Sequence, residues 1–341
     1  MNINVAKHAA SAGLWTLAWR RLRADRLAMG ALAVVAAFIA VLLLSSAGLL
    51  AADWENEVGV NYAPPTFMGA AAADADAVLQ AAQVPLADNP FDPLLDDIHA
   101  IRAKGLHGVV APEQRRATLP FGADKWGHDI VKKTIKGGET SIVVGLVAAF
   151  VAVALGTLFG ALAGYFGGLV DDLFNWFYSI FTAIPSILMI LTVAAVLQHK
   201  GVGTIVLILG LTGWTGPFRL MRVEYMKHKA REYVMAADAI GASHLRKMFS
   251  HIFPNVSHVA LVQLSILVVG FIKAEVILSF LGFGVPVGTV SWGSMLNEAQ
   301  NELILGKWWQ LTAAAIAMAV LVTAFSLLTD ALRDALDPKL K

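Results

Sequence analysis

The sequence predicts an all-α, polytopic membrane protein with six transmembrane helices, and three observations predict it. Hydrophobic residues make up 57% of the 341 and charged residues 15%, a balance too apolar and too poor in charge for an ordinary soluble domain. The charges gather in a few clusters separated by uncharged runs of about 20 residues or more, the length that crosses a bilayer. One long polar interval, residues 231 to 255, interrupts otherwise tightly spaced apolar runs. The formal net charge is only +1, so nothing suggests a nucleic-acid partner. With no cysteine in the chain, disulfides, thiolate metal sites and cysteine catalysis are excluded.

Residues 1–52 read as a cytoplasmic N-terminus and a first span. Lys7, Arg20, Arg21, Arg23 and Arg26 precede an uncharged run from Leu27 to Ala52, too long for the apolar core of a signal peptide. Residues 53–138 are polar, acid-biased and rich in Pro, Gly and Ala, and read as an extracytoplasmic insertion after the first helix. Within it, Asn61 to Pro65 and Pro85 to Pro93 are expected as loops. Phe91 to Lys104 is expected as an amphipathic helix with Asp92, Asp96 and Asp97 near its start. Those acids complement a helix dipole, a more economical reading than a cation site, so no metal is assigned.

Five further spans follow in residues 139–330. The run Thr140 to Val170 carries Gly156, Gly160, Gly164 and Gly168, a four-residue spacing that lays a smooth strip on one helix face for close helix packing. The run Leu173 to Gln198 holds Pro185 and predicts a kinked span. A fourth run ends at Phe218, where Arg219 and Arg222 are placed to snorkel to the interface. The fifth, from about Val256 to Val285, contains Lys273 and Glu275; the sixth runs from Trp308 to Thr329, led by Lys307 and the interfacial pair Trp308 and Trp309. Residues 331–341 form a charged tail. Threading six spans from a cytoplasmic N-terminus places about fifteen Lys and Arg in the inner segments against Lys200 and Lys307 in the outer short loops, as the positive-inside rule requires.

The polar interval then faces the cytoplasm. Ala236 and Ala237 favour helix, Gly241 supplies a left-handed end, Ser243 caps a second helix, and Pro254 stops that helix from continuing unbroken. Two short helices with a corner at Gly241 are expected. Lys273 and Glu275 each cost about 2.5 to 3.5 kcal/mol at a bilayer centre if unpaired, so both are expected to face protein or water. Two residues apart on a helix, they do not face one another, and each is a candidate for the solute pathway or a subunit interface.

A helix, a glycine corner and a second helix between the penultimate spans resemble the coupling loop, or EAA motif, of ABC importer permeases. The matching positions are Ala236, Ala237, Gly241 and Pro254; Met235, His251 and Phe253 occupy the family's Glu, Ile and Leu positions. Those departures are similar to the dipeptide and oligopeptide branch, where Glu232-Tyr233-Val234 precedes the alanines and His251 to Asn255 closes the loop. Leu119-Pro-Phe-Gly-Ala-Asp124, Ala163-Gly-Tyr-Phe-Gly-Gly168, Leu278-Ser-Phe-Leu-Gly-Phe-Gly284, Ser291-Trp-Gly-Ser-Met-Leu296 and Asp330-Ala-Leu-Arg-Asp-Ala-Leu-Asp-Pro338 extend the likeness over residues 119 to 338.

The resemblance implies a type I ABC importer permease fold in the inner membrane of a bacterium, with both termini cytoplasmic and residues 219–255 as the coupling loop. Glu232, Tyr233, Ala236, Ala237, Gly241, Ala242, Ser243, Arg246, Lys247, His251 and Pro254 are its candidate site residues, with Arg246 and Lys247 expected to meet acids on an ATPase. The partners implied are a second homologous permease subunit, two ATPase subunits, an extracytoplasmic substrate-binding protein and membrane lipids. The chain is expected to be non-catalytic and without a cofactor, ATP and Mg residing on the ATPases; it holds no Gly-x-x-x-x-Gly-Lys-Ser/Thr phosphate loop. Permeases of this kind serve dipeptides, longer peptides, peptide-like antibiotics, nickel chelates and opines, which leaves the solute open. The alternative, an ion-coupled secondary transporter of small polar solutes, requires carboxylates in several spans and inverted halves. Glu275 is the one acid well inside a span, and no internal repeat is present. An intramembrane hydrolase lacks a nucleophile and base placed together in a span.

Overall fold

The computed structural model describes residues 14–69, 115–197, 201–286 and 288–336, with the single positions 93, 97 and 199. Most of the helix predicted over 91–104 lies outside them. The described chain is all-helical, with only isolated β-bridges. A short amphipathic helix α1 (Leu14–Ala24) leads into α2 (Arg26–Ser46). Asp25 caps α2 by accepting from the backbone of Leu27 at 2.8 Å and Ala28 at 3.3 Å, which satisfies donors the helix leaves free. Asp129 does the same for α3 (Ile130–Phe166), a helix of 37 residues. The boundary expected at 138 therefore falls inside α3. What precedes α3 is a small lobe in which residues 57–65 meet residues 116–129 through bridges such as Glu57 with His128 and Pro65 with Leu119.

The two apolar runs after α3 are broken rather than kinked. The first splits into α4 (Gly168–Ala183) and α5 (Ser186–Leu197), which meet at 87°. Pro185 lacks the N–H that would continue the helix, and it holds Ile184 extended at φ −105°, ψ 134°. The second splits into α6 (Val202–Thr212) and α7 (Thr215–Lys229) at 40°. After α8 (Glu232–Ala239) comes α9 (His244–Phe280), then α10 (Trp292–Ile304) and α11 (Trp309–Leu336). By length and composition α2, α3, α9 and α11 can each cross a membrane, and the two bent pairs bring the total to six.

Helix α3 is the post around which the others pack. Ala148, Ala149 and Ala152 on α3 are fully buried with Leu209 of α6 and Ile272 of α9 in one core. Its glycine strip admits α7 at backbone contact. A Cβ at Gly156 would stand 2.5 Å from the Trp214 carbonyl oxygen, one at Gly160 would stand 2.7 Å from that of Phe218, and one at Gly164 would strike that of Arg222. Such separations leave no room for any side chain. Gly168 departs from the expected strip. It lies beyond the end of α3 at φ +52° with nothing within 4 Å, and it starts α4. Arg222, expected to snorkel, turns back to Asp171 in a two-pronged ion pair at 2.5 Å. Trp309, expected at an interface, is buried at 2% exposure and donates from Nε1 to the Ala123 carbonyl at 2.6 Å, tying α11 to the lobe.

Candidate functional site

The polar interval folds as the corner its residues require. Helix α8 ends at Ile240, Gly241 takes φ +78°, and the Ser243 hydroxyl accepts from the Arg246 backbone at 3.4 Å to start α9. Left-handed backbone at this position favours glycine. The second helix does not continue unbroken past Pro254, as expected, but it is interrupted rather than ended. Residues Lys247–Ile252 widen into a π turn, so that the Phe253 amide reaches the Met248 carbonyl. The wider turn accommodates a proline that neither donates to the ladder nor tolerates the carbonyl four residues back, and α9 runs on into the membrane. The Tyr225 hydroxyl donates to the same Met248 carbonyl at 3.2 Å.

The corner rests on the core through one face only. Val234, Ala237, Met248, Ile252 and Val256 are buried against Tyr165 of α3 and Met221 and Tyr225 of α7. Tyr165 and His244 share a hydrogen bond of 2.8 Å, as do His228 and Tyr233. Ala237 therefore packs inward, whereas Ala236, Gly241, Ser243 and Arg246 are exposed and Ala242 is half-buried. Lys247 is not free to meet an external acid: it is 6% exposed and bonds to Asp238 of α8 across the corner. That hydrogen bond holds the Asp238 carboxyl below its ordinary value. His251 contributes its carbonyl to Asn255 at 2.7 Å, a local end-of-turn contact. Glu232 is exposed in the first turn of α8, where it complements the dipole.

Beside the exposed polar residues the corner also exposes large apolar side chains, which a reading by charge missed. Met235 is 55% exposed, Ile240 85%, Leu245 66% and Phe249 43%. Their signal in the sequence was the set of large apolar residues flanking Gly241, spaced to fall opposite the inward Val234 and Ala237.

The two charges in α9 separate. Glu275 is fully buried, accepts from the Ser279 hydroxyl at 2.7 Å, and leaves its second oxygen unpartnered among the described residues. Lys273 is on the exposed face. Glu275 is thus sealed inside the helix packing and does not line an open path.

At the end of the molecule carrying the lobe lies a polar cluster of which only Asp124 belongs to a motif found in the sequence. The Lys133 ammonium, 4% exposed, donates to Asp124 at 2.7 Å, Glu298 at 2.6 Å and Gln310 at 3.2 Å, which uses all three of its hydrogens. Asp124 also accepts from His128. Burial alone would raise the Asp124 carboxyl; the His128 hydrogen bond and the Lys133 charge outweigh it and hold the group well below the usual carboxylate range. Glu302 of α10 is 1% exposed and has no partner for either oxygen among the described residues. Burial, opposed by Lys133 and reinforced by Asp124 and Glu298, pushes it up to about 7. Among the described residues no group of three or more His, Cys, Asp or Glu is arranged to hold a metal.

Comparison with known proteins places this architecture. Residues 156–341 match the family described as the binding-protein-dependent transport system inner membrane component. Residues 13–65 match the N-terminal TM domain of oligopeptide transport permease C, which carries the likeness upstream of the motifs beginning at Leu119. The chain is 35% identical over 241 residues to the dipeptide transport system permease protein DppC of Bacillus subtilis, covering 69% of this chain and 75% of that one. It is 36% identical over 221 residues to OppC of the same organism, 65% of this chain and 72% of that one. It is 35% identical over 221 residues to the glutathione transport system permease protein GsiD of Escherichia coli, again 65% and 72%. The chain belongs to the binding-protein-dependent transport system inner membrane component family, in its dipeptide and oligopeptide permease branch.

Proposed function

We propose that this permease subunit forms half of the translocation pathway of an ATP-driven peptide importer. A second homologous permease subunit supplies the other half, two ATPase subunits carry ATP and Mg, and an extracytoplasmic protein delivers the peptide. The chain lies in the cytoplasmic membrane with both termini and the corner at Gly241 inside, in keeping with the basic residues of α1, α7 and the corner. The lobe of residues 57–65 and 116–129 then faces out. The single observation that carries the coupling role is the corner itself, a turn braced by the Lys247–Asp238 pair and Tyr165 that exposes Met235, Ile240, Leu245 and Phe249.

In this reading the apolar knuckle seats in a groove of an ATPase subunit, with Arg246 at its rim. Because Val234, Ala237, Met248 and Ile252 lock the corner onto α3 and α7, a push on the knuckle moves α7 and α9 together. ATP-driven closure of the ATPases rocks those helices between inward-open and outward-open arrangements. Burying a carboxylate in an apolar groove is costly, so Leu245→Asp is expected to cut ATPase co-purification and peptide-stimulated hydrolysis about tenfold or more. Full coupling in that variant would refute the knuckle as the docking element. A wild-type complex that recovers no ATPase would refute the importer reading as a whole.

A further inference from the structure

One face of α9 is left open by the rest of the chain. Gln263, Ile266, Gly270, Lys273 and Ile277 recur at three- and four-residue spacing and so share one side of the helix. Ile266 is 43% and Ile277 44% exposed, Lys273 is exposed, and a Cβ on Gly270 would meet nothing within 4 Å. Glu275, the other charge in this span, points to the opposite side and is sealed in the core. Toward the Gly241 end the open face runs into a groove of about 410 Å³ lined by Leu220, Glu224, His258, Gln263 and Arg333. Within it the His258 Nδ1 is buried without a partner among the described residues. That volume is within the range of small-molecule sites.

Lipid does not suit this face. A lysine is costly in hydrocarbon, and Lys273 has no hydrogen-bond or ion-pair partner among the described residues. It does not escape easily by snorkelling. Helical side chains lean toward the helix N-terminus, which for Lys273 means away from the nearer end of α9 at Phe280 and into the span. Gln263, about 15 Å further along the same face, is a second polar side chain that hydrocarbon would not solvate. Water and a charged solute suit both.

We propose that this stripe of α9 is the subunit's wall of the translocation pathway and that the Lys273 ammonium binds the carboxylate of the peptide in transit. The proposal rests on the peptide-importer reading. An ammonium and a carboxylate form a charge-assisted hydrogen bond that any peptide with a free C-terminus supplies. Ile266 and Ile277 flank the lysine with apolar surface indifferent to side-chain identity, and the open notch at Gly270 leaves room for the terminal residue. Recognition of this kind reads the terminus and not the sequence. Arg333 offers a second cation at the groove, so a carboxylate released by Lys273 meets another on its way out.

The test uses the complete complex with its ATPases and binding protein in proteoliposomes. Uptake of a dipeptide with a free carboxylate is compared with uptake of its C-terminal amide, in wild type, Lys273→Met and Lys273→Arg, always with the same saturated binding protein. Lys273→Met is expected to lower uptake of the free acid about tenfold or more and to leave the amide within about twofold, and Lys273→Arg to restore the preference. The proposal is overturned if Lys273→Met carries both at wild-type rates or loses both equally. It is also overturned if that variant no longer retains the second permease subunit, since the lysine would then be held by the partner. In all three cases a wild-type complex that hydrolyses ATP in response to peptide leaves the importer reading intact. A wild-type complex that carries no peptide removes both.

Discussion

Lys133 and Lys247 are both buried lysines bonded to an aspartate nine residues away in sequence, yet they sit in opposite kinds of site. Lys133 is enclosed: its partner Asp124 is 0% exposed, and Glu298 and Gln310 take its remaining hydrogens. The side chain of Lys247 is 8% exposed, but its partner Asp238 is 69% exposed and open to water. The first pair joins α3, α10, α11 and the lobe into one body. The second braces a single corner that exposes both charged and large apolar side chains. The first arrangement closes its charges within the chain, whereas the second leaves the Asp238 carboxyl in water.

Removing the Lys133 charge is expected to have the largest effect. Lys133→Met should strand Asp124 and Glu298 without a cation, and breaking a buried pair from one side costs about 3–5 kcal/mol. A large fall in melting temperature in detergent, with poor recovery of folded protein, is the expected result. An unchanged melting curve would show that water or another cation fills the site.

A smaller effect at the same end carries a sign. The folded-state value of Glu302 is raised to about 7, so between the ordinary carboxylate range and that value the folded chain holds a proton that the unfolded chain has lost. Stability from this group is present at low pH, falls as the pH rises through about 7, and levels off above it. The total swing is at most about 3 kcal/mol. Glu302→Gln is expected to flatten that slope and to raise the melting temperature at pH 8. A variant that melts with the wild-type pH profile would place the titration elsewhere.

The spans, the contact of Gly156, Gly160 and Gly164 with α7, and the corner at Gly241 were legible because each depends on local spacing or on a backbone preference of one residue. Pro254 was legible as a break in the helix, but the π turn at Lys247–Ile252 that lets the chain run on past it was not. The spacing of Lys273 and Glu275 says that they diverge but not which one is covered; the packing of the other helices leaves Glu275 buried and Lys273 exposed. The Lys133 cluster was hidden because its members come from residues 124, 133, 298, 302 and 310. Lys133 belongs to α3 because the Asp129 cap starts that helix ten residues before its uncharged run.

The gentlest test asks how much the open pair contributes. Asp238→Asn removes the charge that Lys247 meets, but Asp238 is largely in water, where an ion pair adds little to stability. The hydrogen bond to Lys247 keeps the Asp238 carboxyl below its ordinary value. Its contribution is therefore present above the ordinary carboxylate range and disappears as the pH falls through the depressed value. Near neutral pH the melting temperature of Asp238→Asn should stay close to that of the wild type. A loss as large as that of Lys133→Met would mean that Lys247 depends on Asp238 as Lys133 depends on Asp124, and that the corner is held from within as rigidly as the opposite end. A small loss places its rigidity in the apolar contacts of Val234, Ala237, Met248 and Ile252 with α3 and α7, which salt does not screen and which remain when the charges are gone.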